Sequence, residues 1–240
     1  MYEKTNEEDF IMKRKVMNKI ISLFLAVSVV ICTVCAAPTV QADAAVTAQS
    51  VLRSALSMMK SYDKITYQFN RIANNDGAIE KLRGMCMSDS VINYGFYYDN
   101  SQSDIYWEEY QKGKYVYRRR FSKDEWNIYT DMNYKKNSVE SYSEKKFIEY
   151  MLGHVKKAKI VSTSTSSYTI TAVPNFSTTI KSVRFTIDKK KKCVTSIRCV
   201  YKTYRDNYYD SSDTYLVKNQ IVTYTHISYG KGRLHMPAGL

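Results

Sequence analysis

The chain has little of what catalytic and nucleotide-binding loops are made from. Its 240 residues include 8 glycines, 3 prolines and 3 histidines. No glycine-rich phosphate loop, dinucleotide fingerprint or paired-carboxylate motif is present. His154, His226 and His235 stand apart from any serine or cysteine in a nucleophile motif. His154 ends a helical pattern, where histidine suits a C-terminus. His226 alternates with Tyr224 and Ser228 on one face of a strand and is expected to be exposed or hydrogen bonded. Asp188, beside four lysines, reads as a turn residue. The expectation is a protein that is not an enzyme and that uses no cofactor.

Cysteine is scarce too. Cys32 and Cys35 lie in the N-terminal apolar run, and Cys86, Cys193 and Cys199 follow it. Three is an odd number, so at least one of these is unpaired. Cys193 and Cys199 share one extended segment, where six residues span about 20 Å, too far for a disulfide. A bridge, if one forms, joins Cys86 to one of them. No closely spaced Cys or His pair of the structural-zinc kind occurs, and no metal is expected.

What is present begins with a leader. Lys13, Arg14, Lys15 and Lys19 precede an uncharged run from Ile20 to Cys35, shorter than the roughly 18–20 residues of a membrane span. Small residues at Val40-Gln41-Ala42 and Ala42-Asp43-Ala44 place cleavage after Ala42 or Ala44. The expected division is a signal peptide over residues 1–44 and one secreted domain over 45–240; the rival reading is an uncleaved anchor. Ile31 and Val34 precede the leader cysteines where lipid attachment needs a small residue. Glu3, Glu7, Glu8 and Asp9 are unusual in a leader and point to Met12 or Met17 as the true start. Without residues 1–42 the chain keeps 31 basic against 19 acidic residues, a net charge of +12, which favours anionic surroundings such as membrane or cell-wall polymer.

Apolar residues at Val51, Leu52, Ala55, Leu56, Met58 and Met59 have helical spacing, with Thr47 or Ser50 as cap. From Ile65 the period becomes two, and strands follow with turns at Asn74-Asn75-Asp76-Gly77 and Lys112-Gly113. Tyr115, Tyr117 and Phe121 share one face of a strand opposite Val116, Arg118 and Arg120. A second helix is predicted from Glu144 to Val155, capped by Ser143, with Phe147, Ile148, Met151, Leu152 and Val155 as its stripe. Strands resume at Lys159–Thr163, Tyr168–Val173, Val183–Asp188, Val194–Tyr204 and Thr214–Ser228, with Pro174 as a stop. The tally is two helices and nine to eleven antiparallel strands: α+β, mainly β, a single curved sheet wrapped around the helices.

An amphipathic helix leading into Ile65-Thr-Tyr-Gln-Phe69, a hairpin with Trp126, an inserted helix, then Tyr168-Thr-Ile-Thr171, Phe185-Thr-Ile-Asp188 and a terminal strand near Pro237 form an order that resembles the LolA/LppX-like superfamily of extracytoplasmic lipoprotein and lipid carriers. The resemblance covers the chain after the leader and rests on order and pattern, without a diagnostic motif. It implies an incomplete β-barrel at the bacterial cell envelope that holds acyl chains under a helical lid. No ligand contact is carried over from the family. The abundance of Tyr, Thr and Ser departs from a purely aliphatic cavity.

From the residues themselves, the candidate ligand contacts are Met58, Met59, Tyr67, Phe69, Tyr115, Tyr117, Phe147 and Met151. Aromatic rings offer apolar area, at about 25 cal/mol per Å² buried, and methionines adapt to irregular ligands. The same residues also suit a filled core with no ligand. The alternative function is an envelope-associated module that binds anionic polymer or membrane through Arg118, Arg120, Lys189, Lys190, Lys191 and Lys192. Export argues against nucleic acid as partner.

Overall fold

A computed structural model describes residues 46–99, 105–120, 125–130, 143–177, 179–207 and 214–238. The leader, the segment at Phe121–Asp124 and their readings lie outside the described residues. Helix α1 (Ala48–Lys60) starts at Thr47, whose side chain accepts the Ser50 amide while Ser50 Oγ accepts the Thr47 amide. Both predicted caps therefore act, as a reciprocal pair. Ala48, Val51, Leu52, Ala55 and Met59 form its buried stripe.

Among the described residues twelve strands form one open antiparallel sheet that does not close into a barrel. They are β1 (Lys64–Asn75), β2 (Ala78–Ser88), β3 (Ile92–Asp99), β4 (Ile105–Lys112), β5 (Tyr115–Arg120), β6 (Asn127–Thr130), β7 (Val155–Thr163), β8 (Ser167–Pro174), β9 (Ile180–Asp188), β10 (Val194–Tyr201), β11 (Tyr204–Asn207) and β12 (Thr214–Gly230). The spatial order is β6-β5-β4-β3-β2-β1-β12-β10-β9-β8-β7, with β11 on β12. The β1–β2 turn needs left-handed backbone at Asp76 (φ 48°) and Gly77 (φ 98°), which explains its Asp-Gly.

Helix α2 (Glu144–Gly153) ends two residues earlier than its pattern predicts. His154 leaves helical geometry, its ring stacks on Tyr150 at 3.7 Å, and its Nδ1 meets the Tyr150 carbonyl at 2.8 Å. Val155 then opens β7. Its N-terminus is tied to the β2–β3 corner: the Glu144 amide donates to Asn93 Oδ1 (2.9 Å) and the Lys145 amide to Ser88 Oγ (2.9 Å), and Ser143 Oγ donates to the Asp89 carbonyl. These partners satisfy amides that a helix start leaves open. Asp89, itself buried, accepts from the amides of Val91, Ile92 and Leu234.

The predicted strand Val194–Tyr204 is interrupted at Lys202-Thr203, where the Lys202 amide turns to the Thr179 carbonyl, and pairing resumes as β11. The long β12 carries two irregularities opposite β1, at Tyr67 and Ala73, with positive φ at His226 and Asn219. Each inserted residue shifts the alternation. Val217, Gln220, Val222, Tyr224 and Ile227 are therefore all buried although their spacing is not a strict two. His226 is the exposed bulge residue, not a member of a Tyr224–Ser228 face.

The core joins both helices to the face of β1, β2, β8–β10 and β12 turned toward them, with Leu52, Met59, Ile148, Met151, Ile170, Phe185 and Ile197 fully enclosed. None of the described residues of β4–β6 belongs to that cluster. These strands form a wing that runs beyond the core. Cys86, Cys193 and Cys199 are buried, and none of the three is in a disulfide.

Candidate functional site

Strand register decides which wing residues look the same way as the core. Tyr67 pairs with Cys86, then Gly95, Glu109 and Arg118; Phe69 pairs with Gly84, then Tyr97, Trp107 and Arg120. Tyr67 and Cys86 lie in the core, so both rows face inward. A file of rings crosses this inner face. Tyr67 meets Tyr224 edge-on at 5.4 Å, Tyr224 meets Phe69 at 5.9 Å, Phe69 meets Tyr97 at 6.1 Å, and Tyr97 stacks on Trp107 at 5.5 Å. The Arg118 guanidinium lies over Trp107 (5.3 Å) and Tyr129 (5.7 Å) and donates to Glu109 Oε2 through Nε (2.9 Å) and Nη2 (2.7 Å).

Two glycines make room for this arrangement. A Cβ on Gly95 would lie 2.3 Å from the Tyr97 ring, and one on Gly84 would lie 2.8 Å from the same ring and from the Phe96 carbonyl. The Tyr97 ring thus lies flat in a slot cut by absent side chains. Its neighbour Trp107 has a buried Nε1 without an acceptor. A buried donor left unpaired costs about 1–3 kcal/mol, which an incoming acceptor would recover.

Burial sets the electrostatics. It pushes the hydroxyls of Tyr67, Tyr97 and Tyr224 and the thiol of Cys86 far up, and that of Cys199 up to about 12. These thiols stay protonated and behave as small apolar groups, not nucleophiles. Glu144, at the start of α2, has its carboxyl pushed up to about 7 by burial, against the hydrogen bond that Tyr224 donates at 3.0 Å. Beyond Phe69 on the inner face, Arg71 pairs with Glu80 (3.3 Å) and donates to Gln220, which also accepts from Tyr204. Among the described residues no group of three or more potential metal ligands occurs.

The structure brings together only part of the predicted contact set. Tyr67 and Phe69 belong to the ring file. Met59 and Met151 are enclosed core residues, Phe147 packs on the core and against Phe176, and Met58 turns toward Ser61. Tyr115 and Tyr117 lie on the opposite face of the sheet, because alternation turns Val116 and Arg118 inward and Val116 is buried. The basic residues do not form one patch either. Arg118 is paired within the wing, Arg120 is exposed, and Lys189–Lys192 turn between β9 and β10, with six strands between β9 and β5. At about 4.8 Å for each of the seven steps this is roughly 34 Å along the sheet. Lys189 lies over Tyr168 and donates to the Ser164 carbonyl. A cavity of about 200 Å³ beside that turn, lined by Val51, Tyr168, Ile187 and Lys192 among others, is smaller than the 300 Å³ or so that a ligand pocket usually needs. Sequence reasoning missed Tyr97, Trp107 and Glu109. An alternation count starting from Val116 as an inward residue would have found them.

The class these features define is an open antiparallel half-barrel with helices on one face and an aromatic wing. No family model matches the chain, and no curated protein sequence does. Among solved structures it is similar to the lipoprotein LppX of Mycobacterium tuberculosis, at 9% identity and TM-score 0.46, covering 78% of this chain and 97% of that one. It is similar also to LprF of Mycobacterium bovis, at 11% and 0.45, covering 80% and 97%. A LolA superfamily protein of Nitrosomonas europaea matches at 11% and 0.30, covering 80% and 96%. With TM-scores below 0.5, nothing about ligand or activity is drawn from them.

Proposed function

We propose that the protein is an extracytoplasmic, non-enzymatic binding protein that holds an amphiphile, a lipid or an acylated molecule, along the inner face of its sheet. The observation that carries this reading is the file of rings that leaves the core at Tyr67 and runs onto the wing to Trp107, where a buried donor waits without an acceptor. The space between α1, α2 and the sheet is filled by Leu52, Met59, Met151 and Phe185, so the ligand is assigned to the wing and not to a chamber under the helices. Phe69, Tyr97 and Trp107 take the apolar part. An ester, carboxylate or phosphate oxygen meets Trp107 Nε1 and Arg118, a charge-assisted contact in a partly dry site.

Trp107 and Trp126 are the chain's two tryptophans, so a Trp126→Phe variant isolates the reporter. Organic extraction of natively purified protein should yield lipid by mass spectrometry. Titrating the delipidated variant with lysophospholipid should shift Trp107 emission to the blue in a saturable way. An empty extract together with unchanged Trp107 emission would sink the proposal.

A further inference from the structure

The other face of the same strands carries a different pattern. Register sets Met87, Tyr94, Tyr110, Tyr117 and Ile128 side by side across β2–β6, with Met85, Phe96, Glu108 and Arg119 in the next row. Tyr94 meets Tyr110 at a tilt, 4.7 Å between ring centres, Tyr110 meets Trp126 at 5.6 Å, and Arg119 lies over Trp126 at 4.8 Å. Apolar side chains on this face are not all covered: Ile128 in the first row is 62% exposed, Tyr115 in the row beyond it is 43% exposed, and Ile79, at the β1–β2 turn end of the same face, is 62% exposed. Ile72 and Val91 are exposed as well, on this face and at its rim.

Charge on this face is one-sided. Alternation turns Lys64, Lys81, Arg83, Lys112 and Arg119 outward from β1–β5, and among the described side chains of those strands Glu108 is the one acid beside them. Glu108 is already paired with Arg119 at 2.7 Å. Lys114 adds its charge at the β4–β5 turn, above the Tyr115 ring. Cations alone would suit any polyanion. Exposed isoleucines among tyrosines gain free energy only where part of the surface leaves water, and tyrosine rings suit the depth of lipid headgroups.

We propose that the outer face of β1–β6 docks the protein on an anionic phospholipid bilayer, with Ile79, Tyr115 and Ile128 entering the headgroup layer and Lys81, Arg83, Lys112 and Lys114 meeting lipid phosphates. The inference is independent of the inner-face site, because strand alternation gives the two faces separate side chains. It would place a ligand-bearing wing directly against a membrane.

The test is co-sedimentation of the secreted domain with vesicles of phosphatidylcholine alone or with about 30% phosphatidylglycerol, the latter supplying the surface potential that attracts basic segments. The expected result is binding to the anionic vesicles that weakens at least about tenfold as salt rises from roughly 0.05 to 0.5 M. In a Trp107→Phe variant, Trp126 emission should shift to the blue on binding. Ile128→Ser with Tyr115→Ser should lower vesicle affinity about tenfold at low salt, and Lys81→Glu with Arg83→Glu should do so by a similar factor. These positions are exposed, and unchanged circular dichroism checks that each variant folds. No binding to anionic vesicles would overturn the proposal. So would binding that the Ile128 and Tyr115 substitutions leave unchanged, which would mark a charge-only surface for soluble polyanion. Neither result would touch the Trp107 titration.

Discussion

Replacing Glu144 by glutamine is expected to stabilise the domain at pH 8 and to leave it nearly unchanged at pH 5. Burial raises the Glu144 carboxyl from its ordinary 4.5 to about 7, and the Tyr224 hydroxyl that hydrogen bonds it works in the opposite direction. In the unfolded chain the group loses its proton near 4.5. Between those values the folded state keeps a proton that the unfolded state has released, so unfolding free energy falls as pH rises through this window. Above pH 7 the full penalty applies: a rise of 2.5 units at 1.36 kcal/mol each is about 3 kcal/mol. Glutamine keeps an acceptor for Tyr224 and removes the charge. It also gives up the favourable place of an anion at the first turn of α2, about 0.3–1 kcal/mol. The net gain at pH 8 is therefore about 2 kcal/mol, or roughly 4–8 °C in Tm for a domain of this size. Urea and thermal unfolding of both proteins between pH 5 and 8 measure the difference, in which the histidines, present in both, cancel. A difference that is flat with pH, or a variant less stable at pH 8, would refute the burial of this carboxyl.

Gly95→Ala pushes the Tyr97 ring out of its slot on the Trp107 stack; a loss of about 1–3 kcal/mol is expected, with weaker lysophospholipid binding in the Trp107 titration, and wild-type values for both would remove the slot from the argument. Leu52→Ala empties a fully buried position of α1 and should cost about 2–5 kcal/mol in denaturant unfolding, without changing vesicle binding. N-terminal sequencing of the protein isolated from its native cells and medium should begin at Asp43 or Ala45 if the leader is cleaved as proposed, and a chain that retains the leader would favour the anchor.

The helices and most strands were legible because their periods are strong and local. Val51 to Met59 has helical spacing, and the Asp76-Gly77 and Lys112-Gly113 turns require the backbone that glycine adopts, with Gly113 at φ 59°. The site was less legible, because alternation defines two faces of a strand without saying which is inside. Tyr115 and Tyr117 have the hydrophobicity of a core face, yet Val116 is the buried residue of β5. The sign was fixed elsewhere, by pairing through four strands back to Tyr67. The end of α2 was missed for a related reason: Val155 continues the apolar spacing, but His154 is held by Tyr150, and Val155 packs as the first residue of a strand.

The two bulges of β12 show how one strand can serve both halves of the sheet. Beside β1 it must bury Val217 opposite Asn75, Gln220 and Val222 beside Arg71, Tyr224 opposite Phe69, and Ile227 in the core that holds the helices. A strict period of two from Val217 would bury Asn219 and Thr223 and expose Gln220, Val222 and Tyr224. The inserted residues at Asn219 and His226 reset the phase twice, and asparagine and histidine are among the side chains that tolerate positive φ. The first reset turns Gln220 inward to accept from Arg71 and Tyr204; the second brings Ile227 under the helices after Tyr224 has reached Glu144. The aromatic file therefore depends on these irregularities as much as on its rings. Without the reset at Asn219, Tyr224 would face outward and the path from Tyr67 to Phe69 would lose the ring that both touch.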